Sequence, residues 1–197
     1  MEPNENPSDP RSSQLRDYAR RFEAVKGEAR TLVAGLDEAA FNWRHDPEHW
    51  SVAECLDHLN TAGRLLLPKL DEAIRRGRAR KMERDGPFDY GWLGRWWIEA
   101  MQPSSRRRFK VPKAFEPSSS SLAKEEVLAT FLALQDSLVQ RVHEADGLDL
   151  RRVKAPSAAF PLIRLPLGVW FESTAAHERR HLAQARRVMA HIDFPAP

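Results

Sequence analysis

The chain has 197 residues, 42% of them hydrophobic, which is enough for one sizeable core and too few for two comfortable domains. No apolar run approaches the roughly 20 residues needed to span a bilayer, and the N-terminus MEPNENPSDP has neither a basic stretch nor an apolar core, so neither a membrane span nor a secretion signal is expected. The single cysteine, Cys55, rules out an intramolecular disulfide and agrees with a soluble protein in a reducing, cytoplasmic compartment.

The formal net charge is +3, but it is unevenly spread: residues 75 to 113 hold twelve Lys/Arg and four Asp/Glu, leaving the rest of the chain acidic. Such a patch can meet nucleic acid or an anionic substrate. With no nucleic-acid motif beside it, a solvated basic connection between helices is the better reading, and no nucleic-acid partner is expected.

Residues 1 to 13 are rich in Pro, Asn, Ser and acid without periodicity, which predicts a disordered leader ahead of one domain over 14–197. From Gln14, the positions Leu15, Tyr18, Phe22, Val25, Ala29, Leu32 and Leu36 step by three and four, predicting a first long helix over 14–36 with Ser12 or Ser13 as its cap. Gly35 ends it, Asp37 can cap one short further turn, and Pro47 rules out an uninterrupted helix from there to Trp50.

Ser51 and Glu54 make a capping box for a second helix over 51–76, whose stripe is Val52, Cys55, Leu56, Leu59, Gly63, Leu66, Leu67, Leu70 and Ile74, with Gly77 marking the end. His58 lies at the edge of that stripe, about 40° from Ala62 and Glu54 on a regular helix, so it can point inward at a rim. Cys55 reads as a small core residue. In PFDYGWLGRWWIEAM, Trp92, Trp96 and Trp97 at helical spacing predict a short aromatic helix that covers the core or a subunit interface.

A third long helix is predicted over 121–146, with Leu122, Val127, Phe131, Leu134, Leu138, Val142 and Ala145 as its stripe and Gly147 as its stop. LDLRRVKAPSAAFPLIRLP has three prolines and no period, the mark of a long connection. A fourth helix, over 167–191, has expected inward positions Trp170, Thr174, His177, His181, Gln184 or Ala185, and Val188.

His177 and His181 are four residues apart, hence on one helix face one turn apart. A lone histidine on such a face is ordinarily a hydrogen-bonded core residue, but several polar rings buried without strong partners cost a few kcal/mol each. Two rings on one face with a third, His58, on another helix point instead to a divalent ion that takes neutral nitrogen donors, zinc or nickel foremost. Residues 177 to 181 also fit the H-E-x-x-H pattern of zinc proteases. The longer protease pattern needs a third His at position 187, which is Arg187, and the only acid after Glu178 is Asp193, so that reading fails. Glu178, about 80° off the ligand face, is expected in solvent, while Gln184 and Glu54 stand one turn from a ligand and are candidates to orient one. His45, His49, His143 and His191 are expected to be surface or loop residues.

WSVAECLDHLN, HERRHLAQ, KVPKAFEPSSSS and GLDLRRVKAP, taken together, make the chain resemble the DinB/YfiT-like superfamily over roughly residues 14 to 192. The resemblance implies an all-α fold, an antiparallel four-helix bundle with a long crossover connection, commonly a homodimer. It implies a facial metal triad of His58, His177 and His181, with zinc or nickel bound and positions left open. Characterised relatives include thiol-dependent transferases and isomerases, and others are described as hydrolases. The implied activity is therefore a metal-dependent hydrolase or a low-molecular-weight-thiol S-transferase acting on a small-molecule substrate. The alternative is a non-catalytic metal- or ligand-binding stress-response bundle.

Overall fold

Apolar side chains at steps of three and four become buried faces along four long helices. The computed structural model describes residues 10–107 and 112–195. It is mostly helical: α1 (Ser13–Val33), α2 (Glu38–Asn42), α3 (Val52–Ala79), α4 (Gly91–Met101), α5 (Lys124–Glu144) and α6 (Leu167–Met189), with a two-stranded hairpin of β1 (Lys154–Pro156) and β2 (Arg164–Pro166). A 3-10 turn at Lys113–Phe115 lies between α4 and α5. No helix among the described residues is long and apolar enough to cross a membrane.

The core has two parts. The N-terminal halves of α1 and α6 share one apolar cluster with the C-terminal halves of α3 and α5, built on Leu15, Phe22, Leu70, Leu138 and Phe171. The opposite halves of those helices share the other with α2, around Val25, Phe41, Leu56, Phe131 and Leu182. Each fully buried Phe or Leu in these clusters contributes roughly 1.5–3 kcal/mol. α1 and α3 each pack against both α5 and α6, and α4 lies on α6.

Local signals account for most boundaries. Asp37 caps α2 by accepting from the Ala40 N–H at 2.7 Å. Asn42 then fixes the start of α5 by bonding both the N–H and the carbonyl of Leu122, at 2.8 and 2.9 Å, so this helix begins at Lys124 and not at residue 121. α1 ends at Val33, short of 36, because Leu36 N–H turns back to the Val33 carbonyl. Of the leader expected over 1–13, residues 1–9 lie outside the described residues, while the Arg11 and Ser12 N–H groups donate to Asp146. Ser12 precedes α1 but makes no side-chain cap bond.

Gly77 does not stop α3, which continues to Ala79. The glycine is there because a Cβ would meet Val153 Cγ2 at 2.9 Å. The segment expected to be an irregular connection forms the hairpin, with Ala155 opposite Leu165. Its strands are only three residues long and carry prolines at their ends, where a ladder N–H is dispensable, so no alternating pattern announces them. Leu148, Leu150, Val153, Ala155 and Leu165 are all buried, and the Trp170 indole N–H donates to the Ala155 carbonyl at 3.0 Å.

On α4, Gly94, Ile98 and Ala100 face inward, and Trp97 meets Trp170 edge to face at 6.2 Å. Trp92 is 75% exposed and Trp96 37%. The tryptophans therefore do not act together as a cover: an eleven-residue helix lying on one neighbour buries only one side.

Candidate metal centre

The site begins with the start of α3. Ser51 Oγ accepts from Glu54 N–H at 3.1 Å and a Glu54 carboxylate oxygen accepts from Ser51 N–H at 2.8 Å, the expected capping box. The other Glu54 oxygen accepts from Arg44 at 3.1 Å. Glu54 is thereby committed to the helix start and the connector, and it does not orient His58 as the sequence suggested.

His58, two turns into α3, is buried. Its Nδ1 lies 2.7 Å from the Phe115 carbonyl in the 3-10 turn. A carbonyl can only accept, so Nδ1 carries the proton and Nε2 keeps its lone pair. Asp57, the preceding residue, accepts from Ser118 N–H at 2.7 Å and Ser118 Oγ at 2.8 Å. This anchors the segment whose carbonyl holds the histidine. Nothing in the spacing of the sequence reveals either contact, since the partners are about sixty residues away and both contacts involve main-chain atoms.

From α6, His177 and His181 complete the group. His177 Nε2 is 3.4 Å from His58 Nε2 and 3.1 Å from His181 Nε2. The possible ligand atoms of the three residues all lie within 4.8 Å of one another. The rings are steeply inclined, with His177 at 72° to His58 and 82° to His181. Trp50 covers two of them, its ring centroid 5.0 Å from that of His58 and 5.8 Å from that of His181.

Burial pushes the His58 pKa down, only partly offset by the bond to Phe115 and the charge of Asp57. His177 and His181 are also driven down, first by burial, then by their neighbouring histidines and by Arg180. The Gln184 side chain, expected to assist on this face, partly offsets the shift at His181. Three neutral rings result. His177 Nε2 can share a proton with one neighbour at most, so nitrogen lone pairs are left facing one another, an arrangement that a cation relieves. Tetrahedral nitrogen ligands at ordinary zinc distances stand about 3.3 Å apart, close to the spacing here. His181 Nδ1 is buried with no hydrogen-bond partner among the described residues. The donor set fits a borderline divalent ion.

The helix faces differ from expectation in one respect. Thr174, His177, His181 and Gln184 are half-buried, whereas Glu178 is only 4% exposed. Glu178 accepts from Gln135 Nε2 at 2.9 Å, and burial pushes its pKa up to about 8. It was expected in solvent. α6 is packed by α1, α3 and α4, so a position 80° from the histidine face is still core, and the histidines sit at the rim of that core.

Arg180, half-buried, donates to the carbonyls of Ala100, at 3.0 Å, and Arg107. It ties the end of α4 and the start of the basic loop alongside the histidine pair. Elsewhere in the basic stretch, charges serve the fold: Arg76 holds the Lys154 carbonyl and Arg78 those of Glu144 and Asp146. Residues 108–111 of this stretch lie outside the described residues.

A helical framework that brings one histidine of α3 against two of α6 defines a class of protein, one whose candidate site is assembled across helices. The family model for the DinB superfamily matches residues 21–185, and the chain belongs to that superfamily. The match spans all three histidines. The chain is also 23% identical over 172 residues, 87% of its length and 97% of the relative's, to the uncharacterized protein YuaE of Bacillus subtilis (strain 168). No solved structure matches.

Proposed function

We propose that His58, His177 and His181 hold one divalent ion, zinc or nickel, and that the protein is a metal-dependent enzyme acting on a small molecule, either a hydrolase or a low-molecular-weight-thiol S-transferase. The observation that carries this reading is the convergence of the Nε2 atoms of His58 and His181 on that of His177, at 3.4 and 3.1 Å, with the other nitrogen of His58 already used. An ion held by neutral ligands keeps its full charge, so it lowers the pKa of a coordinated water or thiol into the neutral range. The chain's residues hold and orient. Phe115 fixes the His58 tautomer, Trp50 screens one side from water, and Arg180 adds positive charge that suits an anionic substrate or thiol. The group of possible ligands contains no carboxylate, and Glu178 is turned into the core, which supports a nucleophile supplied by water or a cosubstrate.

The same reading takes α1, α3, α5 and α6 as an antiparallel four-helix bundle with residues 80–123 as its long crossover. The sharing of helix halves between the two apolar clusters supports it. It also carries a homodimer, for which the exposed Trp92, Leu93 and Trp96 on α4 offer an apolar face, and light scattering at micromolar concentration tests this directly. The buried single cysteine suits a cytoplasmic location.

The decisive experiment measures metal content of the untagged protein with and without His58, followed by turnover against thiol-acceptor and ester or amide panels. Metal-dependent turnover that needs an added thiol supports the transferase, and turnover without it the hydrolase. Stoichiometric metal with no turnover on either panel supports the non-catalytic binding reading instead. A His58→Ala, His177→Ala, His181→Ala protein that keeps its metal at this site would falsify all three.

A further inference from the structure

We propose that His45, Asp46 and His49, in the connection between α2 and α3, form a second site for a divalent transition-metal ion, separate from the three-histidine group. The segment reads H-D-P-E-H, and its turn brings both rings onto one carboxylate. His45 Nε2 lies 2.7 Å from Asp46 Oδ2, and His49 Nδ1 lies 2.9 and 2.8 Å from Asp46 Oδ1 and Oδ2. All three residues present ligand atoms within 4.8 Å of one another.

The rings are held in place. His45 stacks on His191 at 4.6 Å and 15°, and its ring centroid lies 4.4 Å from that of His49. Trp43 packs beside both His45 and His191, at 6.3 and 5.6 Å. His45 is therefore packed among ring neighbours although it belongs to a connecting loop.

Two imidazole nitrogens and one carboxylate oxygen suit zinc, nickel, cobalt or copper and disfavour calcium or magnesium, which prefer all-oxygen shells. An ion takes the place of the protons that lie between the rings and the carboxylate, and each ring then carries its proton on the other nitrogen. A shift of about half an ångström opens the present 2.7–2.9 Å contacts to the spacing of metal ligands. His49 and Asp46 face solvent, with side-chain exposures of 61% and 36%, so water completes the coordination and the ion exchanges readily. Trp50 directly follows His49 and rests on His58 and His181, so an ion here stiffens the strap over the inner group.

The test is equilibrium dialysis of the untagged full-length protein against zinc, read by elemental analysis, with circular dichroism to verify folding. Wild type is expected to hold two equivalents and His45→Ala/His49→Ala one. His177→Ala/His181→Ala is expected to keep one equivalent, which the added His45→Ala/His49→Ala changes remove. This second background reads the outer site alone, so its result does not depend on the inner group binding metal. Two equivalents retained in the folded His45→Ala/His49→Ala protein, or none in the folded His177→Ala/His181→Ala protein, would overturn the proposal.

Discussion

The two histidine groups use nearly the same donors in opposite surroundings. His58, His177 and His181 come from two helices far apart in sequence, are held neutral by burial, and face one another without a carboxylate between them. His45 and His49 come from one five-residue stretch, lie toward solvent, and are gathered by Asp46, whose own pKa is lowered chiefly by the bond from His49. A tertiary site can thus leave lone pairs converging, because the packing of helices, and not the attraction between the groups, sets their separation. A local site closes on its own internal hydrogen bonds.

That contrast is broken most severely at His177. His177→Ala removes the ring in contact with both others, and metal affinity of the inner group should fall by more than about 100-fold, since even partners behind a ligand are worth 10–100-fold. Competition against a chelator measures it, and the helical content should not change, because the apolar stripes remain. An unchanged affinity would show that the inner rings converge for some reason other than an ion.

Asp57→Ala comes next. It frees Ser118 and so loosens the turn whose Phe115 carbonyl fixes His58, and a loss of metal affinity of about 10-fold or more is expected. Asp57→Asn, whose uncharged amide oxygen can still accept from both Ser118 groups, should recover part of it. Wild-type affinity in both variants would mean that the turn holds its carbonyl in place without the aspartate.

The pH dependence of stability in the chelated protein separates the buried groups by sign. His177, lowered from its ordinary 6.5 to about 3, contributes fully above pH 6.5, and that stability is lost as pH falls from 6.5 toward 3. Glu178, raised from 4.5 to about 8, contributes fully below pH 4.5, and that stability is lost as pH rises through 8. Urea unfolding across this range should give a maximum between the two slopes. Glu178→Gln should flatten the alkaline side and leave the acid side intact; a steep alkaline slope surviving in that variant would locate its cause elsewhere.

The outer group should respond least. In the absence of metal, His45→Ala/His49→Ala should change the unfolding free energy by no more than about 1 kcal/mol, as for exposed ion pairs and surface side chains. A larger loss would mean that the stack of His45 on His191 is a structural joint between the connector and the end of α6.

Local chemistry made several features legible in the sequence alone. The stripes of α1, α3 and α5, the Ser51–Glu54 capping box, the Asp37 cap and the 177/181 spacing depend on residues within a turn or two of one another, and period and hydrogen-bonding capacity are properties of such short stretches. The pairing of His58 with the α6 histidines was foreseeable because three polar rings fell on apolar faces, and burying them singly is costly. Other features depended on which surfaces came together. The Phe115 carbonyl behind His58, the Asp57–Ser118 anchor and the Gln135–Glu178 contact each join segments more than forty residues apart. The depth of Glu178, the outward turn of Trp92 and the passage of α3 through Gly77 were likewise decided by how many neighbours each helix acquired. Helical periodicity says which residues share a face; only packing says how many faces are covered.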